Sequence, residues 1–318
     1  MKVAAVQVQS RNGAAAANLA NATRHVEEAA RRGAQLAVCP EFLAPGYVFE
    51  ESIWDAAERQ DGPTESWLRE LARRLGIHVG AGYLETDGSD FFNTFTLMTP
   101  SGKPAGRVRK GSLPVFEGWY FTPDRESSKI VSTELGRIGV GICNDNQTCW
   151  FLRAMTRDRP DLLVMPHSAP SPRPPLPIVG RWIKESLREQ TATVSLHYAT
   201  TLGVPVVFVN KTASHSTTTL PLVPWMRVSW EFDGRSLIRD GEGRVLTQLG
   251  AEEGVAVAEV TPGAIHEPRV SEPSHFYWSF TPPRLADPVG RLMLGLETLG
   301  KASYRRNPRR TAAARRHR

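Results

Sequence analysis

Residues 36–42, LAVCPEF, hold a short apolar run, a proline that stops it and a glutamate directly after. Such a run reads as a buried strand ending at Pro40-Glu41. Upstream, GAAAANLANATRHVEEAARRGA (residues 13–34) reads as a helix, with an alanine-rich interior, a basic last turn and Gly33 placed to stop it. Before that helix, Val3, Ala5 and Val8 open a first strand. Strand, helix and strand make a β-α-β unit, and Glu41 falls at the strand end where α/β folds place their ligands.

Downstream, TESWLRELARRLG (residues 64–76) reads as a helix with Thr64 as candidate N-cap and Gly76 past its end. IHVGAGYLE, FFNTFTLMTP and AGRVRK follow as neighbouring antiparallel strands, with a turn at Pro100–Lys103. A second cycle starts with the strands KIVST and RIGVGIC, the helix CWFLRAMTRD and the strand DLLVMP. It continues through a long helix from about Ile178 to Gly203 and the strand VPVVFVN, and FDGRSLIRDGEGRVLTQLG reads as two short strands around a turn. GVAVAEV closes the core, while Ser168–Gly180 and Ser214–Pro224 read as long irregular loops bordering a site. Two similar halves of an α/β chain pack most economically as two sheets with helices outside them.

A chain of 318 residues, 41% hydrophobic, can bury a full core. Three cysteines make no disulfide framework, which together with a start, MKVAAVQVQS, lacking a signal-peptide apolar run points to a cytoplasmic protein. No stretch is long and apolar enough to span a bilayer. The basic balance is local: residues 301–318 hold eight Lys and Arg and no acid, so the formal +6 of the whole chain becomes −2 for residues 1–300. That run reads as a solvated, disordered tail, and no nucleic-acid partner is expected. We expect one domain over residues 1–265, an extension over 266–300 packing on the body or on a dimer partner, and the tail over 301–318.

The chemistry-bearing residues recur at strand ends. Cys143 ends RIGVGIC just before a helix, the sequence form of a nucleophile on a sharp strand-to-helix turn, with Gly139 and Gly141 admitting a close backbone. Packing as a small hydrophobe is the competing reading of that segment, and the one that suits Cys39 and Cys149. Glu41 among apolar neighbours such as Phe42 and Leu43 suits a general base with a raised pKa. By strand alternation Arg109 and Lys110 point to opposite faces, so one can enter the structure, and Lys110 there could hold an oxyanion. Glu117, flanked by aromatic residues in VFEGWYFTP, must be paired or carry a shifted pKa if it is buried.

Together, Glu41 in VCPEF, Lys110 in VRKGSLP and Cys143 in GVGICND resemble the nitrilase superfamily of carbon-nitrogen hydrolases, from about Lys2 to Val260. Glu117 before Trp119-Tyr120-Phe121-Thr122-Pro123 looks like that family's second glutamate. The resemblance implies a four-layer αββα sandwich, assembly as a homodimer or larger homo-oligomer, and no metal or organic cofactor. It also implies a mechanism in which Glu41 deprotonates Cys143, the thiolate attacks a small-molecule amide, ureide or nitrile, and Lys110 with the Asn144 amide steadies the oxyanion. Glu117 would position substrate or Lys110. Tyr47, Trp119, Trp150 and His167 join Asn144 as candidate substrate contacts.

Cys143-Asn144-Asp145 looks like the carbamoyl-amino-acid hydrolases, but Asn146, Gln147, Thr148, Cys149 and Trp150 replace the two arginines, aromatic, proline and glutamate that follow there. Those arginines help hold a substrate carboxylate, so a neutral or differently anchored amide is expected. Ser112 also replaces a histidine frequent two residues after the lysine. A nitrilase, a thioester-forming acyltransferase and a catalytically idle binding member remain the alternatives.

Overall fold

The structure is a computed structural model describing residues 1–114, 116–173, 185, 189, 193–269 and 283–317. The β-α-β unit at the start is β1 (Lys2–Gln7), α1 (Ala15–Arg31) and β2 (Leu36–Val38), with β2 parallel to β1. After α2 (Pro63–Leu75) come β3 (His78–Thr86), β4 (Phe91–Met98) and β5 (Pro104–Arg109), paired antiparallel in succession. The N-cap of α2 is Gly62, not Thr64, because Pro63 starts the helix and the Thr64 hydroxyl donates to Glu58 at 2.7 Å.

The second cycle holds β6 (Ile130–Thr133), β7 (Gly136–Val140), α3 (Cys149–Asp158) and β8 (Leu162–Pro166). A short β9 (Pro170–Arg173) follows, then a helix α4 described over residues 193–202 and β10 (Val206–Val209). Most of the long helix expected from Ile178 lies outside the described residues. β11 (Thr212–Leu220), β12 (Val223–Asp233), β13 (Leu237–Arg239), β14 (Val245–Gln248) and β15 (Gly254–Glu259) complete the strands among the described residues.

Two six-stranded sheets result, ordered β15-β1-β2-β3-β4-β5 and β14-β13-β10-β8-β7-β6. The period of two along each strand sorts the layers. Val3 and Ala5 of β1 face Val140, Val164 and Val207 across the gap between the sheets, while Ala4 and Val6 turn to Leu19, Val26 and Leu68 of α1 and α2. On the far side Leu163, Met165 and Phe208 pack on Phe151 and Met155 of α3 and on Tyr198 of α4. The order is helices, sheet, sheet, helices: the expected αββα sandwich. Gly139 and Gly141 make room for the side chains of Met155 and Phe151 rather than for a backbone.

Two expectations are corrected. The stretches read as irregular loops contribute β9 and β11, which flank β12 in a separate three-stranded sheet; residues 174–180 lie outside the described set. In SHSTTT (residues 214–219) the polar and β-branched residues hide strand propensity, because neither face of β11 is uniformly apolar. The basic tail is likewise ordered. α5 (Pro283–Arg306) runs into it and α6 (Pro308–Arg316) follows, capped by Asn307, whose side chain accepts from the Arg309 and Arg310 amides. Tyr304, Ala313 and Ala314 are buried, Arg309 and Arg310 pair with Glu51 at 2.9 Å and Asp90 at 3.1 Å, and Arg316 pairs with Asp55. Net charge hid the spacing of these few apolar residues. Within the extension, Glu297 of α5 receives Arg125 at 2.9 and 2.8 Å, while the stretch HFYWSF lies outside the described residues. Among the described residues no helix is long and apolar enough to cross a membrane.

Glu65 locks α2 onto its sheet. Its carboxylate accepts from Arg107 at 2.6 and 2.7 Å, from the Asp61 amide at 2.8 Å and from the Tyr83 and Thr96 hydroxyls at 2.9 Å. Burial alone would raise this acid, but the Arg107 fork and the other donors bring it from 4.5 down to about 2. A lowered folded value stabilises above the unfolded one and is lost as pH falls through it. Glu65→Gln should therefore cost about 3 kcal/mol at pH 7. In urea denaturation the gap to wild type should narrow as pH drops from 4.5 toward 2; a gap that stays constant with pH would refute the assignment.

Candidate active site

Past β2 the chain stays beside β3: the Cys39 amide donates to the Gly80 carbonyl at 2.8 Å and the Gly82 amide to the Pro40 carbonyl at 3.1 Å. A side chain at Gly82 would lie 2.7 Å from the Glu41 Cα, so only glycine lets this segment run so close. Glu41 is thereby held inside the sandwich and is fully buried. At the end of β5 the Lys110 amide donates to Asn93 of β4 at 2.8 Å. Arg109 and Lys110 do diverge. Arg109 lies over Phe92 and reaches Glu85 at 2.7 Å, while Lys110 turns inward and is buried.

The Lys110 ammonium touches two carboxylates, Glu41 and Glu117, each at 2.8 Å. Glu41 also accepts from Asn93 at 2.7 Å and from the Ser168 amide at 2.8 Å, and its carbonyl accepts from the Ser168 hydroxyl at 2.9 Å. Burial would raise the Glu41 carboxyl, but Lys110 and Asn93 outweigh it and the net shift is downward. This corrects the raised value expected from its apolar neighbours: the bonds decide, not Phe42 and Leu43. Glu117 is pushed up to about 8 by burial and, after the opposing pull of Lys110, by the Glu41 charge. Burial would push Lys110 down, yet the two carboxylates hold it well above its ordinary value. The two carboxylates titrate as a coupled pair around one ammonium, with Glu41 the one that ionises more readily.

Cys143 opens a single helical turn, Cys143–Gln147, between β7 and α3, with φ at 48°. That left-handed backbone is the strained elbow expected of a projecting nucleophile. Burial and then the Glu41 charge raise its thiol well above the ordinary value, so the resting group is the thiol, facing an anionic base. Asp145 ties the elbow to the lysine loop, accepting from Gly111 at 3.0 Å and Ser112 at 2.7 Å, while the Asn144 amide group donates to the Ser112 hydroxyl at 3.1 Å. Ser112 thus fills the place of the expected histidine with a bond of its own.

A cavity of about 210 Å³ opens over these groups, lined by Cys143, Asn144, Glu117, Tyr47 and His167 together with Phe49, Phe116, Gln147, Thr218 and Trp230. Trp119 and Trp150 are not among the lining residues. Trp119 packs on Phe116 and Gly300, and the Trp150 ring packs on Gly111 and Phe151. Sequence reading missed Thr218 because it read Ser214–Pro224 as a loop, and Trp230 because it assigned no element to the stretch that follows, which is part of β12. It also missed Lys211, a wholly buried lysine that donates to the Phe42 carbonyl at 2.7 Å, where Phe42 has φ of 47°. The signal was a charge directly after the apolar run VPVVFVN. Lys211 holds the strained peptide next to Glu41, and burial lowers it to about 7. At pH 6, where it is protonated, Lys211→Met should slow alkylation of Cys143 by iodoacetamide about tenfold, one pKa unit of thiolate. An unchanged rate in a folded variant would remove Lys211 from the site.

The carbon-nitrogen hydrolase family model matches residues 2–269. A nitrilase of Pyrococcus abyssi is 31% identical over 181 residues, 53% of this chain and 67% of that one. An N-carbamoylputrescine amidase of Arabidopsis thaliana is 30% identical over 161 residues, 47% of this chain; the match spans only 52% of that relative's length. Among solved structures, an amidase of the nitrilase superfamily from Nesterenkonia sp. AN1 superposes with a TM-score of 0.67 at 20% identity, covering 82% of this chain and 90% of that one. With this match over most of its length, the chain belongs to the carbon-nitrogen hydrolase family.

Proposed function

We propose that this protein is a cysteine-dependent amidase that cleaves the carbon-nitrogen bond of a small, uncharged amide or ureide. The observation that carries this reading is the placement of Cys143 beside an ionised, buried Glu41 whose partner Lys110 is held between two carboxylates. Glu41 takes the thiol proton as sulfur attacks the carbonyl carbon. The oxygen that becomes negative is met by the Lys110 ammonium and the Asn144 amide. Glu41 returns the proton to the departing nitrogen, and ammonia or an amine leaves a thioester on Cys143. Water, deprotonated by Glu41, then releases the acid and restores the thiol. Glu117, bonded to Lys110 at 2.8 Å, keeps the ammonium aimed.

The cavity supports the uncharged substrate. Tyr47, Phe49, Phe116 and Trp230 give it apolar walls, and among the described lining residues there is no Arg or Lys to hold a carboxylate. The relatives include an N-carbamoylputrescine amidase and omega-amidases by name, and in a mutant of the Nesterenkonia amidase acrylamide is joined to the active-site cysteine by Michael addition. We further propose that the protein works in the cytoplasm as a homo-oligomer.

Ammonia release from a panel of uncharged amides, their ω-carboxylate counterparts, ureides and nitriles tests the reading. Neutral amides or ureides should be preferred, and Cys143→Ala should abolish release, a loss on the order of 10⁶-fold for a nucleophile. Turnover of nitriles alone would favour the nitrilase alternative. Silence across the panel would favour an acyltransferase or an idle member.

A further inference from the structure

His167 is buried, 2% exposed, yet lines the cavity beside Cys143 and Asn144. Its Nδ1 lies 3.0 Å from the Met165 carbonyl oxygen. A carbonyl only accepts, so Nδ1 carries the hydrogen and the neutral ring presents Nε2 as a bare acceptor. Burial also brings the imidazolium down to about 4, which keeps the ring neutral at physiological pH. Nε2 is buried and meets no donor among the described residues. An acceptor left empty in this way is costly, and a donor entering the cavity would relieve that cost.

The neighbouring residue ties this segment to the reacting groups: the Ser168 amide binds Glu41 at 2.8 Å and also faces the Cys143 thiol, and His167 lines the same cavity as Cys143. We propose that His167 Nε2 accepts a hydrogen bond from the N–H of the scissile carboxamide, making this histidine a determinant of preference for substrates whose reacting carbonyl bears an N–H donor. This rests on the amidase reading. An N–H anchored on His167 turns the nitrogen lone pair, as it forms during attack by sulfur, toward Glu41. The carbon-sulfur bond forms as the thiol proton passes to Glu41, and the carbon-nitrogen bond breaks as the same proton passes to nitrogen. Esters and nitriles offer no N–H and forgo the contact.

His167→Phe keeps an aromatic ring and removes the acceptor. For one acyl group presented as primary amide and as methyl ester, the amide-to-ester ratio of kcat/KM should fall about 10–100-fold in this variant. Equal losses on both, or no loss, would overturn the proposal. Equilibrium binding to Cys143→Ala, which needs no turnover and keeps His167, separates it from the amidase reading. Tighter binding of the primary amide than of the ester, abolished when His167→Phe is added, supports the role even if no amide is hydrolysed. Equal binding of the two with His167 intact overturns it, whether or not the histidine variant folds and whether or not wild type releases ammonia.

Discussion

One lysine held between two carboxylates, out of reach of water, sets the terms for everything around it. Removing either partner of such a buried pair costs about 3–5 kcal/mol, because the remaining charge has no solvent to turn to. Lys110 can be there only because Glu41 and Glu117 are both within 2.8 Å. Those carboxylates share one cation, so Glu117 ionises less readily than Glu41. The cluster is therefore a single unit, and the two sheets must deliver its parts to one point. Glu41 and Lys110 lie just past the ends of β2 and β5 of one sheet, while Cys143 lies just past the end of β7 of the other. The sandwich is the frame that lets those strand ends meet.

The supporting contacts serve the same demand. Asn93 and Ser168 saturate Glu41, Asp145 fastens the lysine loop to the elbow, and Lys211 steadies the strained peptide at Phe42. None of these need touch a substrate. They narrow the positions open to Glu41, Lys110 and Cys143, which is what converts three ionisable side chains into a preorganised site.

Much of this was legible in the chain because local signals agreed with the global fold. The alternation in MKVAAVQ, the β-α-β order and the abrupt Pro40-Glu41 all point to a sheet with its chemistry at the strand ends. Cys143, Glu41 and Lys110 were each ambiguous alone and became readable through their common position. What sequence could not give was distance. Trp119 and Trp150 lie close in sequence to Glu117 and Cys143 but turn into packing, whereas Trp230, far along the chain, reaches the cavity across a hairpin. Lys211 looked like an ordinary polar residue after a strand and only its burial marks it, whereas His167 was a candidate contact whose unmet hydrogen bond the sequence could not show. The basic tail misled for the opposite reason, since its charge was conspicuous and its few buried contacts were not.

Under the proposed function, the sulfur of Cys143 carries the acyl group. Rapid quenching during turnover of a primary amide, followed by intact mass and peptide mapping, tests this directly. It predicts a transient adduct of the acyl group's mass on the peptide containing Cys143, decaying as the acid appears. Turnover with no adduct on Cys143, or with the acyl group on Cys39 or Cys149 instead, would contradict it.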